Sequence, residues 1–409
     1  MLCFPSNLMS RLRRYAIVLL RLLIVGVCCL GVWYSLLTAR AEFLFKIDTE
    51  DSIRSAIRLA PDNENLYMRL AQFDRTHALS LLQKALSLNA YNAQAYIELG
   101  LQYEANGDSA RAESLLLGAF VVDRTYLPRW TLANFYFRQG NLPAFWEWAR
   151  RAAEMPAEDI RALFDLCWRA SPDADVIQRS VLNDKPEVIR QYISFMIGKN
   201  QLAAAATLAP RLIDFGSAET DRPLLFYILN RLISMNSAKP SVILWRHLIE
   251  KKWVVADSAL PNNGDFAREP ISVSFDWSLN EFDGLHSWPG SSGLETEFSG
   301  SEPETCVVAE QTLSLDPGSY AMSFSYHTSG IPPGSGLKWQ VIDPATDAIV
   351  SASPDLSSES VAFSGMGFVV RPGAGLLRLR LVYERALGTT RITGTSVVVS
   401  TKVEKLATK

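Results

Sequence analysis

The chain has 409 residues, 40 of them basic and 43 acidic, for a formal charge of −3, and 48% of its residues are hydrophobic. A chain of that length holds two or three domains with sizeable cores, and the lack of a basic excess argues against a nucleic-acid partner. Five cysteines and four histidines are scattered without metal-ligand spacing, so no disulfide framework, metal site or cofactor is expected.

The N-terminal segment sets the compartment. Leu22–Leu37 carries no charge, and Tyr15–Leu20 extends it with one interruption at Arg21. The resulting span, residues 15–37, is long enough to cross a bilayer as a helix if Arg21 snorkels to the near interface. Arg11, Arg13 and Arg14 precede it in a basic tail, residues 1–14, whereas Arg40 and Lys46 after it are mixed with Glu42, Asp48, Glu50 and Asp51. That asymmetry predicts a cytoplasmic N-terminus, a single-pass anchor in the inner or cell membrane, and an exported, periplasmic or extracytoplasmic remainder. A cleaved signal peptide is the competing reading, because Ala39-Arg40-Ala41 matches the small-x-small rule.

Helical periodicity occupies residues 48–256. Its clearest stretch is Ala93–Tyr126, where Tyr96, Leu99, Gly100 and Tyr103 share one helical face. Asn106-Gly107-Asp108 then breaks the helix, and Ala112, Leu116 and Ala119 line a second one. Aromatic, Leu-Gly, aromatic, Gly-Asp, Ala and Ala at these offsets, over a period of about 34 residues, resemble a tetratricopeptide (TPR) repeat. One such unit cannot bury its own face, so neighbours are required. Leu66–Ala71 with Ala78 and Ala85–Leu88 fits a degenerate unit before it. Trp130, Leu132, Ala133, Tyr136, Gly140-Asn141, Ala149 and Ala152 fit one after it. Beyond Pro156 the match fades while the periodicity continues, which suits either a diverged solenoid or an ordinary helical bundle.

The TPR pattern implies a concave groove lined by the first helix of each unit. Aromatic density peaks at Arg129–Arg151, and Trp130, Asn134, Phe137 and Arg138 share a face there. They are the candidate groove residues for a protein segment or a sugar chain, stacking on aromatics with polar handles beside them. The competing reading is that these aromatics fill solenoid core.

After Trp253 the period changes from helical to alternating. Tyr320, Met322, Phe324 and Tyr326 alternate with small or polar residues, as do Leu377, Leu379, Leu381 and Tyr383 with Arg378 and Arg380. Further strands are expected at Ile271–Trp277, Gly293–Phe298, Cys306–Leu315, Leu337–Ile342, Val361–Val370 and Thr390–Val399, giving an antiparallel β-sandwich over 257–403 and a tail at 404–409. Asn262-Asn263-Gly264-Asp265-Phe266, then Phe275-Asp276-Trp277, and later Asp316-Pro317-Gly318-Ser319-Tyr320 resemble carbohydrate-binding modules with a galactose-binding-like jelly roll. The resemblance implies sugar recognition by exposed aromatics. Trp277, Trp288 and Trp339 are the candidates, with Asp276 and Glu297 as polar partners and Trp288 placed in a loop; Trp277 and Trp339 are equally suited to the core.

No phosphate loop, HExxH or GxSxG is present, and Glu302 and Glu304 read as a solvated loop. The expectation is a multidomain α-then-β chain: transmembrane helix, TPR-like solenoid, jelly roll. Its expected function is that of a non-enzymatic scaffold in envelope or exopolysaccharide assembly, with a protein partner in the groove and a polysaccharide on the sandwich. The alternatives are a pure protein-interaction adaptor or a glycan-processing enzyme with two opposed carboxylates.

Overall fold

The computed structural model describes residues 6–407 except 272, 274 and 374, and side chains from Tyr15 onward except that of Ala16. The side chains of Arg11, Arg13 and Arg14 and the last two residues of the expected tail lie outside the described residues. The chain divides into two compact units, Met1–Val181 and Leu182–Lys409. The change from helix to strand near residue 257 falls inside the second.

The first unit opens with α1, Ser6–Ile47, a single helix that passes through the apolar run and on into the solenoid. Its part Ile17–Ile47 is long and apolar enough to cross a membrane by length and composition. The helical repeat therefore starts before residue 48. Ala41 and Leu44 of α1 pack with Ala56 of α2 (Glu50–Leu59) and Leu66 of α3 (Glu64–Phe73). Antiparallel pairs follow: α3 with α4 (Ala78–Leu88), α5 (Ala93–Ala105) with α6 (Ser109–Val122), and α7 (Tyr126–Arg138) with α8 (Leu142–Glu154). The shorter helices α9 (Arg161–Ala170) and α10 (Ala174–Val181) close the unit.

Local chemistry explains the helix ends. Asn63, Asn92, Asp108 and Asn141 each accept a hydrogen bond from a first-turn backbone N–H. Gly107 takes the left-handed conformation at φ +84° that the Asn-Gly-Asp turn demands. Close packing explains the small residues, because a Cβ on Gly100 would lie 3.0 Å from Leu116.

In the second unit α11 (Pro186–Gly198) pairs with α12 (Leu202–Phe215), and α13 (Ala218–Ser234) with α14 (Ala238–Glu250). The helix-pair architecture thus persists where the repeat motif fades. Pro210 and Pro223 lie inside α12 and α13. Burial of Leu208, Leu212, Leu225 and Ile228 outweighs the missing hydrogen bonds.

Among the described residues, ten strands then build two five-stranded antiparallel sheets. They are β1 (Ser278–Leu279), β2 (Leu285–Gly290), β3 (Gly293–Ser299), β4 (Thr305–Leu313), β5 (Gly318–Ser329), β6 (Leu337–Asp343), β7 (Ala348–Ala352), β8 (Ala362–Val370), β9 (Leu377–Glu384) and β10 (Thr393–Lys405). The first sheet has the order β1-β4-β9-β6-β7 and the second β2-β3-β10-β5-β8. The inward side chains of both form one core, in which Phe324 meets Trp339 and Phe298 meets Tyr383 across the layers.

Three expectations change here. No strand covers the described part of Ile271–Trp277, because Asp276 turns its carboxylate back to accept from Ile271 N at 3.1 Å. Strands β1, β2 and β7 lie outside the expected ones, and β10 runs through Lys405 into the expected tail, where Lys405 pairs with Tyr320.

Candidate functional site

The four residues proposed on α7 do share that helix, but their polar groups are engaged. Trp130 is half-buried and stacks on Tyr126 one turn earlier, with centroids 6.3 Å apart. Asn134 Nδ2 donates to the Trp130 carbonyl at 3.1 Å, a bond within the helix. Phe137 packs on Phe145, and the Arg169 guanidinium lies over its ring. Arg138 is exposed and makes a two-pronged bond to Glu104 at 2.7 and 2.8 Å. The aromatics around them are committed to packing: Phe135, Phe145 and Trp148 are buried.

A cavity of about 680 Å³ lies instead between the end of α1 and helices α3 and α5. On α1 the stripe Tyr34, Thr38, Glu42 and Phe45 faces it, at the spacing of one helical face. Asn65, Arg69 and Gln72 supply one wall from α3, and Glu98 another from α5. Arg69 is fixed by Asp48, which accepts from Nε at 2.6 Å and from Nη2, while Nη1 of the same guanidinium donates to Gln72. Those bonds from Arg69 hold the Asp48 carboxyl below its ordinary range. Sequence reasoning missed this site because it treated α1 as anchor alone. The signal was there in Thr38 and Glu42, polar residues one turn apart after the apolar run.

In the sandwich, two of the three tryptophan candidates are corrected. Trp277 and Trp339 are both 0% exposed, 5.9 Å apart, at the centre of the core. Strand parity puts Trp339 inside with Leu337 and Val341, and Trp277 Nε1 donates to the Asn263 carbonyl at 2.9 Å. Asp276 is no sugar partner either. It is buried, and accepts from Asn262 Nδ2 at 3.1 Å as well as from Ile271. Burial pushes its carboxyl above the ordinary value. Glu302, read as solvated, is 0% exposed and accepts from Gly300 N, while Glu304 pairs with Arg385.

Trp288 lies on a strand rather than in a loop. On β2 Leu285 and Ser287 point inward, so His286 and Trp288 stand on the outer face, their rings 5.0 Å apart. Glu295 lies opposite Trp288 and Glu297 opposite His286, with Thr395 and Val397 next in register on β10. Further across, Ala321 and Ser323 of β5 lie opposite Gly367 and Gly365 of β8, and the buried Ser325 lies opposite Phe363. Phe363 is 85% exposed. The outer face of the second sheet therefore has an aromatic residue on each edge strand, with Glu295 and Glu297 on β3, Thr395 and Val397 on β10 and Ala321 and Ser323 on β5 between them. Four strand spacings, roughly 19 Å, separate those edges.

No family model matches the sequence, and no curated protein matches it. Solved structures similar to parts of the chain include YrrB, a TPR protein with an unusual peptide-binding site. It is 16% identical, over 41% of this chain and 93% of that one, with a TM-score of 0.27. A CBM4 structure is 14% identical over 36% of this chain and 99% of its own, with a TM-score of 0.29. TmCBM61, solved with β-1,4-galactotriose, is 13% identical over 37% and 100%, with a TM-score of 0.26. Solved TPR proteins and solved carbohydrate-binding modules are thus both among the structures this chain is similar to.

Proposed function

We propose that this chain is a non-enzymatic, membrane-anchored scaffold on the exported side of a membrane. Its solenoid holds a segment of a protein partner, and its sandwich binds a glycan chain during envelope or exopolysaccharide assembly. The observation that carries the reading is the cavity of about 680 Å³ at α1, α3 and α5. It combines apolar walls such as Leu66 and Met68 with the amides of Asn63, Asn65 and Gln72, the mixture a backbone-plus-side-chain ligand needs. The anchor is supported by α1, whose apolar stretch Ile17–Ile47 has none of its most apolar window buried. Burial pushes the thiol of Cys306 up to about 11 and that of Cys167 higher still, which disfavours either one as a nucleophile.

Selection of a random peptide library on the full chain tests the solenoid half. Peptides enriched on the wild type should be lost with Asn65→Trp, which fills the cavity; enrichment that ignores this substitution sinks the reading.

The glycan half rests on the outer face of the second sheet. Trp288 and Phe363 offer stacking surfaces, and Ser323, Thr395 and Glu297 offer hydrogen-bonding groups between them. Affinity electrophoresis in a panel of soluble polysaccharides should retard the wild type, and Trp288→Ala or Phe363→Ala should each weaken that retardation at least tenfold. No retardation in any polysaccharide favours the adaptor reading instead, in which the sandwich is structural. The placement of Trp277 and Trp339 in the core is the observation in that reading's favour.

A further inference from the structure

The chemistry of the cavity between α1, α3 and α5 narrows what it binds, and this step rests on the peptide-binding and anchor readings above. We infer that its occupant is a positively charged segment of a second membrane-anchored protein, lying just outside that protein's own span.

Charge is the first argument. Glu42, Asp62 and Glu98 line the cavity, and no ion pair engages any of them among the described residues. Glu98 accepts only from the neutral Gln94 amide. Arg69 is the cationic side chain of the lining, and its charge is already offset by Asp48. The pocket is therefore net anionic, and a Lys or Arg side chain can satisfy its carboxylates while laying its methylene stem along Phe45 and Met68. An anionic lipid headgroup meets repulsion in the same place.

Position is the second. Tyr34 belongs to the apolar run, yet it lines the cavity together with Glu42 and Phe45 on the same continuous helix. From Tyr34 to Phe45 the helix rises about 16 Å. A site so close to the end of the span is held at the membrane surface. A segment tethered by its own span stays at that height, and its effective concentration rises accordingly. A free soluble peptide has no such advantage.

The test uses the full chain reconstituted in phosphatidylcholine vesicles and a fluorescent peptide of alternating Lys and Gly, either free or carried on a polyleucine span. Its partner probe has Glu in place of each Lys. The tethered Lys probe should bind at least tenfold more tightly than the free one. The triple variant Glu42→Gln, Asp62→Asn, Glu98→Gln should reduce binding at least tenfold, as should raised salt. All three positions are exposed or half-exposed, so the variant keeps its fold, and circular dichroism checks this. Asn65→Trp, which keeps every charge, should also abolish binding. If the Glu probe binds as well as the Lys probe, the charge assignment is wrong while the peptide groove stands. Equal binding of free and tethered Lys probes removes the membrane-anchored occupant. Binding of neither probe, together with a failed peptide-library selection, brings down the underlying reading too.

Discussion

The helical stack of the first unit and the sandwich of the second bury aromatic residues by different routes. In the stack, partners lie within a helix or in adjacent helix pairs: Tyr126 lies on Trp130, Phe137 on Phe145 and Phe120 on Trp148. Several of its helices are capped from within their own first turn, as Asp108 caps α6 through Arg111 N. In the sandwich the partners are remote. Trp277 meets Trp339, β10 lies between β3 and β5, and Asn262 is bound through both N–H and carbonyl to Gln311. The stack can leave half of an aromatic ring exposed at modest cost, whereas the sandwich commits every second residue to one interior. Exposure is therefore informative about ligands mainly on the sandwich's outer face.

The largest expected effect tests that contrast directly. Trp277→Ala should destabilise the second unit by about 3–5 kcal/mol, the usual loss for a buried aromatic. Trp130→Ala, at a half-exposed position, should cost the first unit about 1 kcal/mol. Urea titrations followed by far-ultraviolet circular dichroism measure both. Equal costs would erase the distinction between a locally packed stack and a remotely packed core.

Glycines sharpen it further. Gly336 and Gly107 both have positive φ, +91° and +84°. A Cβ on Gly336 would sit 1.8 Å from the Glu384 carbonyl oxygen on a distant strand, while one on Gly107 meets nothing within 4 Å. Gly107→Ala should thus cost only the backbone strain, about 1–2 kcal/mol. Gly336→Ala adds displacement of β9, and its loss should exceed that of Gly107→Ala by at least about 1 kcal/mol. A smaller loss at Gly336 would mean that the β6–β9 edge gives way freely.

These contrasts also explain what the sequence made legible. Local signals read correctly: the Asn106-Gly107-Asp108 turn, the small residues at Gly100 and Ala112, and the alternation along β5 and β9 all describe neighbours in the chain. Even Trp339 was decidable, since Leu337 and Val341 share its parity. What could not be read was pairing at a distance. Nothing near Glu302 signals its burial, and β2 is short, with Pro289 and Gly290 at its end disguising a strand as a loop. The candidate site was missed for the same reason. Its lining comes from three helices and the connection between α2 and α3, and only the α1 stripe Thr38 and Glu42 announces it.

Caps give the next smaller effect. Asp108→Ala removes the bond to Arg111 N and should destabilise the first unit by about 1 kcal/mol. Asp108→Asn, which keeps an acceptor, should restore most of it. Thermal denaturation of the two variants separates the hydrogen bond from the charge. An equal loss in both would show that the charge, not the bond, is what stabilises α6.

The smallest effect is a pH dependence of opposite sign in the two regions. In the first unit Asp48, Glu64 and Asp74 are held low by hydrogen bonds from Arg69, Asn89 and His77 respectively. Their stabilising contribution is present above the unfolded carboxyl values and fades as pH falls through the folded ones. Asp276 runs the other way. Desolvation raises its folded value above the ordinary 3.8, so in the interval between the two the folded state binds more protons than the unfolded state. Its contribution is complete below the unfolded value and is lost as pH rises through the folded one. Asp257 and Glu384, lowered by Arg268 and Lys338, oppose it within the same unit, so the wild type's overall pH profile conceals the effect. Asp276→Asn isolates it, because the amide does not titrate and retains an acceptor for Asn262 or Ile271. The stability of the wild type minus that of the variant should be highest below about pH 4 and fall steadily as pH rises toward 7, as read by urea titration with tryptophan fluorescence. A difference that grows with pH would mean that the donors around Asp276 outweigh its burial and hold it as a carboxylate.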